Sequence, residues 1–255
     1  MTRLPKMILF ALALSASGAS CASDALAAPS WFNRALVKVS YVRIADDIYA
    51  TARLTEAERQ RALADVQSAR NRIAGVFGDP RARPMTIIAA SDREAAQLGL
   101  LEGVPGAAFV TPVGTQVVLS MPNFSVDVAA HELMHAELVD RLGFWAWMTR
   151  LPVWFDEGVA LQLDWRPGSV VDCAALDALR VRQVRALVRP WQFWDGGRDQ
   201  VVANYRAARC AAAQVLAREP ARSLYASIDR LRDGESFARV FDGGNEGGKG
   251  GRFLH

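Results

Sequence analysis

His131-Glu132-Leu133-Met134-His135 (HELMH) is the stretch on which the reading of this chain turns. The chain holds three histidines, and two of them stand here, four residues apart, with a glutamate after the first. On a helix, positions i and i+4 lie one above the other, with Cβ atoms roughly 5–6 Å apart. Two imidazoles at that spacing can reach one metal ion at about 2.0–2.1 Å. Glu132 is turned off the ligand line but stays near the ion, where a carboxylate could take a proton from water.

The surroundings place this motif on a helix entered from a strand. Ser125 is the expected N-cap, and the helix runs to about Leu142 with Ala129, Leu133, Ala136 and Leu142 on one apolar side. Before it, residues 85–90 are rich in β-branched side chains, and residues 107–110 and 116–120 (QVVLS) flank Pro112-Val113-Gly114-Thr115, a hairpin signal. Residues 103–106 read as loop. Further back, residues 37–44 alternate apolar and polar, as a strand does. Thr55 with Glu58 forms a capping box opening a helix over 55–77, and Ser91 starts another.

After the motif, residues 143–151 (GFWAWMTRL) read as irregular and aromatic. Pro152 precedes a helix from 153 to about 164. The rest reads as mainly helical, over 174–188, 204–218, 221–231 and 236–240. Residues 243–251 hold six glycines in nine positions and read as a flexible tail.

Two histidines leave a catalytic metal site one protein ligand short. The segment Pro152-Val153-Trp154-Phe155-Asp156-Glu157-Gly158 supplies a carboxylate, Glu157, on the next helix. An unpaired charge would be costly in so apolar a run. Gly158 beside it leaves room for two helices to pack closely. The four aromatics Trp145, Trp147, Trp154 and Phe155 read as core, or else as the wall of a substrate pocket or a membrane-facing lip.

With QVVLS, HELMH and PVWFDEGVA in this order, the chain resembles the gluzincin metallopeptidases, and more narrowly the bacterial peptidase MA-like domains. The resemblance covers roughly residues 85–164. It implies an α+β, zincin-like fold: a small mixed sheet, an active-site helix carrying HExxH, and a mainly helical C-terminal lobe. It implies a zinc ion (Zn2+) held by His131, His135 and Glu157, with Glu132 as general base for hydrolysis of a peptide bond. It also implies that a peptide or protein substrate pairs with an edge strand, here expected at 116–120. Some members stabilise the oxyanion with a tyrosine, and Tyr205 holds a similar place in chain order. A packing role is the competing reading of Tyr205. Thermolysin-like members carry an aspartate four residues past the ligand glutamate. Leu161 stands there instead, which leaves Asp156 and Asp127 as candidates to orient the first histidine.

Composition sets the outer limits. The chain has 255 residues, 51% hydrophobic and 22% charged, a net charge of +3 and a sequence pI near 9.0. The basic excess is scattered, which argues against a nucleic-acid role. Arg3 and Lys6, followed by an apolar run and then small residues, read as a signal peptide over 1–27. Cleavage falls either after Ala27 or at a loose lipobox ending in Cys21, which would be the one route to a membrane. Both routes lead to the periplasm or cell envelope. The expected division is thus a signal at 1–27, a catalytic region at 28–164, a helical lobe at 165–242 and a tail at 243–255. Cys173 and Cys210 either form a disulfide, as export allows, or remain buried thiols. A protein that keeps zinc without catalysis, for binding or assembly in the envelope, is the alternative function.

Overall fold

The computed structural model describes residues 41–101, 103–218 and 223–241. The expected signal segment, Cys21, the glycine-rich stretch 243–251 and His255 lie outside the described residues, as does the first half of the expected strand at 37–44. The fold is α+β. A five-stranded mixed sheet is formed by β1 (Val42–Ala45), β2 (Ile48–Ala50), β3 (Met85–Ala89), β4 (Gly106–Thr111) and β5 (Gly114–Ser120), in the spatial order β1-β2-β3-β5-β4. β2, β3 and β5 run parallel to one another, while β1 and β4 are antiparallel to their neighbours.

The sheet is covered unequally. Alternate residues of a strand point to opposite faces. Ile88, Ala108, Val117 and Leu119 therefore face the main apolar cluster. Ile87, Ala89, Ala107 and Val118 face a smaller one, closed by α2 (Asp92–Gln97) and the following loop. The main cluster is continuous from Ile48 to Phe241. It takes in α1 (Glu56–Phe77), whose stripe of Ala62, Val66, Ala69, Ile73 and Phe77 is buried. Thr55 and Glu58 close the expected capping box at its start.

The helices that carry the motif residues are α3 (Val126–Leu142) and α5 (Val153–Leu161), joined by α4 (Phe144–Arg150). The stretch expected to be irregular is therefore helical. Gly143 caps α3 at φ +76°, a backbone region that suits glycine, and the chain turns there directly into the next helix. Then follow α6 (Ala178–Val184), α7 (Pro190–Phe193), α8 (Arg198–Leu216), α9 (Leu224–Arg232) and α10 (Phe237–Phe241). α8 begins six residues before the expected 204, because its first turn, Arg198-Asp199-Gln200, carries no apolar signal. α6 is shorter than the expected 174–188; Asp177 starts it by accepting the Leu179 N–H.

α5 and α8 touch backbone to backbone. A Cβ built on Gly158 would stand 2.4 Å from the Ala208 carbonyl oxygen and 2.7 Å from the Ala212 Cβ. Nearby, Cys173 and Cys210 form a disulfide that ties the segment after α5 to α8 across a sequence separation of 37. Replacing both cysteines with serine should cost roughly 2–4 kcal/mol of unfolding free energy, since the bridge limits the unfolded chain. Urea melts of the double variant and wild type measure it, and equal midpoints would deny the bridge a stabilising role.

Candidate metal centre

Helix α3 begins at Ser125, which is extended and whose hydroxyl accepts the Val128 N–H. It is buried from Val128 to Val139, histidines and glutamates included. His131 and His135 share one face, with Nε2 atoms 3.0 Å apart. Helix α5 brings Glu157 against them: its Oε2 lies 3.4 Å from His131 Nε2 and 3.7 Å from His135 Nε2. Exposure is 0% at His131, 2% at Glu132 and His135, and 1% at Glu157.

This triangle fits a cation. Two facing imidazole nitrogens cannot both donate to each other, and Glu157 Oε2 is buried without a hydrogen-bond partner. Ligands about 2.0–2.1 Å from a tetrahedral centre stand about 3.3–3.4 Å apart. The measured 3.0, 3.4 and 3.7 Å bracket that value. Among the described residues, His131, His135 and Glu157 form the group of histidine, cysteine or carboxylate side chains close enough to hold one ion. The nitrogen and oxygen donors suit zinc, but they also suit cobalt or manganese.

The electrostatics follow from burial and proximity. Burial works to raise the Glu157 carboxyl, yet the two imidazoles overcome it and hold the group at about 2. Burial works to lower His135, and the Asp156 and Glu157 carboxylates raise it well above its ordinary value. For Glu132, burial dominates and pushes the carboxyl up, Glu157 adds to that, and the two histidines oppose it. The Ala108 N–H of β4 faces the Glu132 carboxylate and also works to lower it. Gly106 on the same strand makes room: a Cβ there would lie 3.4 Å from Glu132 Cγ and 2.8 Å from Leu119 and Val128 methyls. Gly106, expected in a loop, is thus the first residue of β4, and no local pattern marks this contact.

Asp156 orients the second histidine and not the first. Its Oδ1 lies 2.9 Å from His135 Nδ1, and its Oδ2 accepts the Trp147 indole N–H at 3.0 Å. Asp127 is occupied elsewhere: it accepts from Arg72 of α1 at 2.7 Å and from the Trp165 N–H at 2.8 Å. His131 Nδ1 is buried without a hydrogen-bond partner. Leu161, where thermolysin-like members carry aspartate, is itself buried. Three residues on, the carboxylate of Asp164 is taken up by Arg166 and Ser169, at 2.6 and 2.7 Å.

Tyr205 sits in the third turn of α8, buried against Phe193. The Trp194 indole donates to its hydroxyl oxygen at 2.9 Å. The phenolic hydrogen is thus free of that bond and can be given to another acceptor. Burial first, then the negative charge of Glu157, raise the phenol well above its usual value, so it stays protonated at neutral pH. Of the four aromatics, Trp154 and Phe155 meet Phe237 edge to face in the core, Trp147 is buried beside Asp156, and Trp145 is 69% exposed.

The expected substrate strand needs correcting. β5, which contains 116–120, lies between β3 and β4 and is hydrogen-bonded on both sides. Among the described residues, the sheet edge beside Glu132 is β4. No family model matches this chain, and searches of curated proteins and of solved structures returned no match.

Proposed function

We propose that this chain is an exported, zinc-dependent metallopeptidase of gluzincin type with a zincin-like core. The observation that carries the reading is the convergence of His131, His135 and Glu157, with the buried Glu132 carboxylate beside them and outside the ligand set. Three protein ligands leave one position of a tetrahedral ion for water or substrate. Bound there, zinc would act as a Lewis acid, making water nucleophilic near neutral pH and polarising a carbonyl.

The chain's own residues supply the rest. Glu132 takes one proton from the attacking water and passes it to the leaving nitrogen, and the second water proton stays with the products, so that peptide and water become carboxylate and ammonium. Its burial raises the carboxyl toward the range where a base can both accept and return a proton. The β4 edge offers its outward backbone groups to an extended peptide. Tyr205 is the candidate donor to the oxyanion. The Cys173–Cys210 bridge suits an oxidising compartment and supports the export reading.

One observation favours the alternative, a zinc protein of the envelope without catalysis. All three ligands and Glu132 are nearly inaccessible, and structural zinc sites are closed. Substrate access therefore requires movement of a covering element. The turn 164–169 is a candidate, fastened to α3 through Trp165 and Asp127, and its Gly168 and Ser169 line one small cavity together with Tyr205. Metal analysis and digestion of a mixed peptide library separate the two readings. We expect one zinc per chain and new peptide termini that vanish when the metal is chelated. Tight zinc binding with an undigested library would leave the closed, non-catalytic reading standing.

A further inference from the structure

The geometry points to Trp147 as a positioning residue for the metal ligand His135, acting through Asp156. The inference deepens the metallopeptidase reading and rests on it for the ion alone. The three side chains form one buried line, none more than 5% exposed: Trp147 Nε1 to Asp156 Oδ2 at 3.0 Å, then Asp156 Oδ1 to His135 Nδ1 at 2.9 Å.

The direction of that line follows from its first member. An indole N–H can only donate. Asp156 Oδ2 must therefore accept, which engages one carboxylate oxygen and turns the other toward the imidazole. With Asp156 accepting at both ends, the Nδ1 hydrogen of His135 is held on Asp156, so that Nε2, the atom that faces His131 and Glu157, is the nitrogen left to bind an ion. The reverse arrangement would put a hydrogen on Nε2, between the three ligand atoms and in the place of the ion. A metal-binding histidine commonly donates its other N–H to a carboxylate. Here a tryptophan fixes that carboxylate in turn.

The backbone selects this tryptophan. The Gly143 turn starts α4 immediately under the C-terminus of α3, and of the two tryptophans two residues apart, Trp147 points inward while Trp145 is 69% exposed. A cavity of about 130 Å³ lies behind the pair, lined by Trp147, Leu151, Val153, Asp156, Val188 and Trp191 among others. Its walls are mostly apolar, so a water entering it is a poor substitute for the indole N–H.

Zinc affinity of the metal-free full chain, measured by competition with a chromogenic chelator, tests this without reference to activity. Trp147→Phe removes the N–H and keeps an aromatic ring. It should weaken zinc binding by about 10-fold, the low end of the range for partners that orient a ligand. Asp156→Asn should weaken it further, and the double variant should be no weaker than Asp156→Asn, because both changes cut the same line. Trp191→Phe, which alters an exposed wall of the same cavity, should leave affinity unchanged. In the cobalt-substituted protein the visible absorption band should shift for Trp147→Phe and not for Trp191→Phe. Unchanged affinity in Trp147→Phe, or losses that multiply in the double variant, would overturn the inference while leaving the metal site intact. A wild-type chain that takes up no zinc would overturn the metal reading and this inference together.

Discussion

Glu132→Gln should reduce peptide hydrolysis by about 10³-fold, within the ~10²–10⁴ range that a positioned general base contributes. Zinc should remain at one per chain. The substitution is nearly isosteric. The glutamine carbonyl can still accept the Ala108 N–H that now meets the carboxylate, so β4 and α3 keep their contact. What is lost is the ability to take a proton from water and return it to the amine. Glu132 is not among the atoms that form the ligand triangle, so metal binding should survive. Removing a charge that burial disfavours should cost the fold little. Steady-state kinetics on a peptide cut by the wild type, alongside metal analysis, check both halves. A variant that keeps its zinc and cleaves at the wild-type rate would remove Glu132 from the mechanism. A variant that loses its zinc would instead show that Glu132 supports the ligands.

That prediction rests on residues legible in the sequence because their geometry is local. Spacing by four on a helix guarantees that His131 and His135 share a face, and Ser125 announces where the helix begins. Glu157 was legible for a different reason: an unpaired carboxylate is costly in the apolar run 152–160, and it supplies the third ligand that two histidines leave missing. The hairpin of β4 and β5 was legible from its turn residues, and the capping box of α1 from Thr55 and Glu58.

What stayed hidden depends on elements distant in the chain. The alternation within QVVLS marks a strand but says nothing of its neighbours. That β5 is interior and β4 the edge follows from the pairing of Met85–Ala89 with one side of β5, which no local pattern records. β4 itself is thinly marked, since its Gly106, Ala107 and Ala108 are small so as to admit Glu132 and the core of the sheet. The helix at Phe144–Arg150 was hidden because aromatic residues signal packing without signalling a period. With it went the contact between Trp147 and Asp156, although Asp156 stood in view one residue before the ligand glutamate. The pairing of Trp194 with Tyr205, 11 residues apart across the start of α8, was likewise out of reach of local patterns.

Gly158→Ala should be the most damaging glycine-to-alanine change among the described residues. The added Cβ would stand 2.4 Å from the Ala208 carbonyl oxygen, 2.9 Å from its carbon and 2.7 Å from the Ala212 Cβ. None of these is the free end of a flexible side chain, and alanine has no rotamer with which to turn away. The two helices must therefore separate or slide. Overpacking a core commonly costs about 1–3 kcal/mol and occasionally more; with backbone on one side and Cβ on the other, we expect about 3 kcal/mol. For a domain of this size that corresponds to a fall of about 6–12 °C in melting temperature. The second consequence follows from position. Glu157 is the neighbouring residue, and its Oε2 now lies 3.4 and 3.7 Å from the two imidazole nitrogens, distances that a shift of α5 would change directly. Zinc affinity should fall together with stability. Calorimetry of the metal-free variant measures the first effect, and chelator competition below its melting temperature measures the second. Wild-type stability in the variant would mean that α5 and α8 are not packed through Gly158. Lost stability with wild-type zinc affinity would mean that Glu157 is held in place by α3 and its ion, and not by the close approach of α5 to α8.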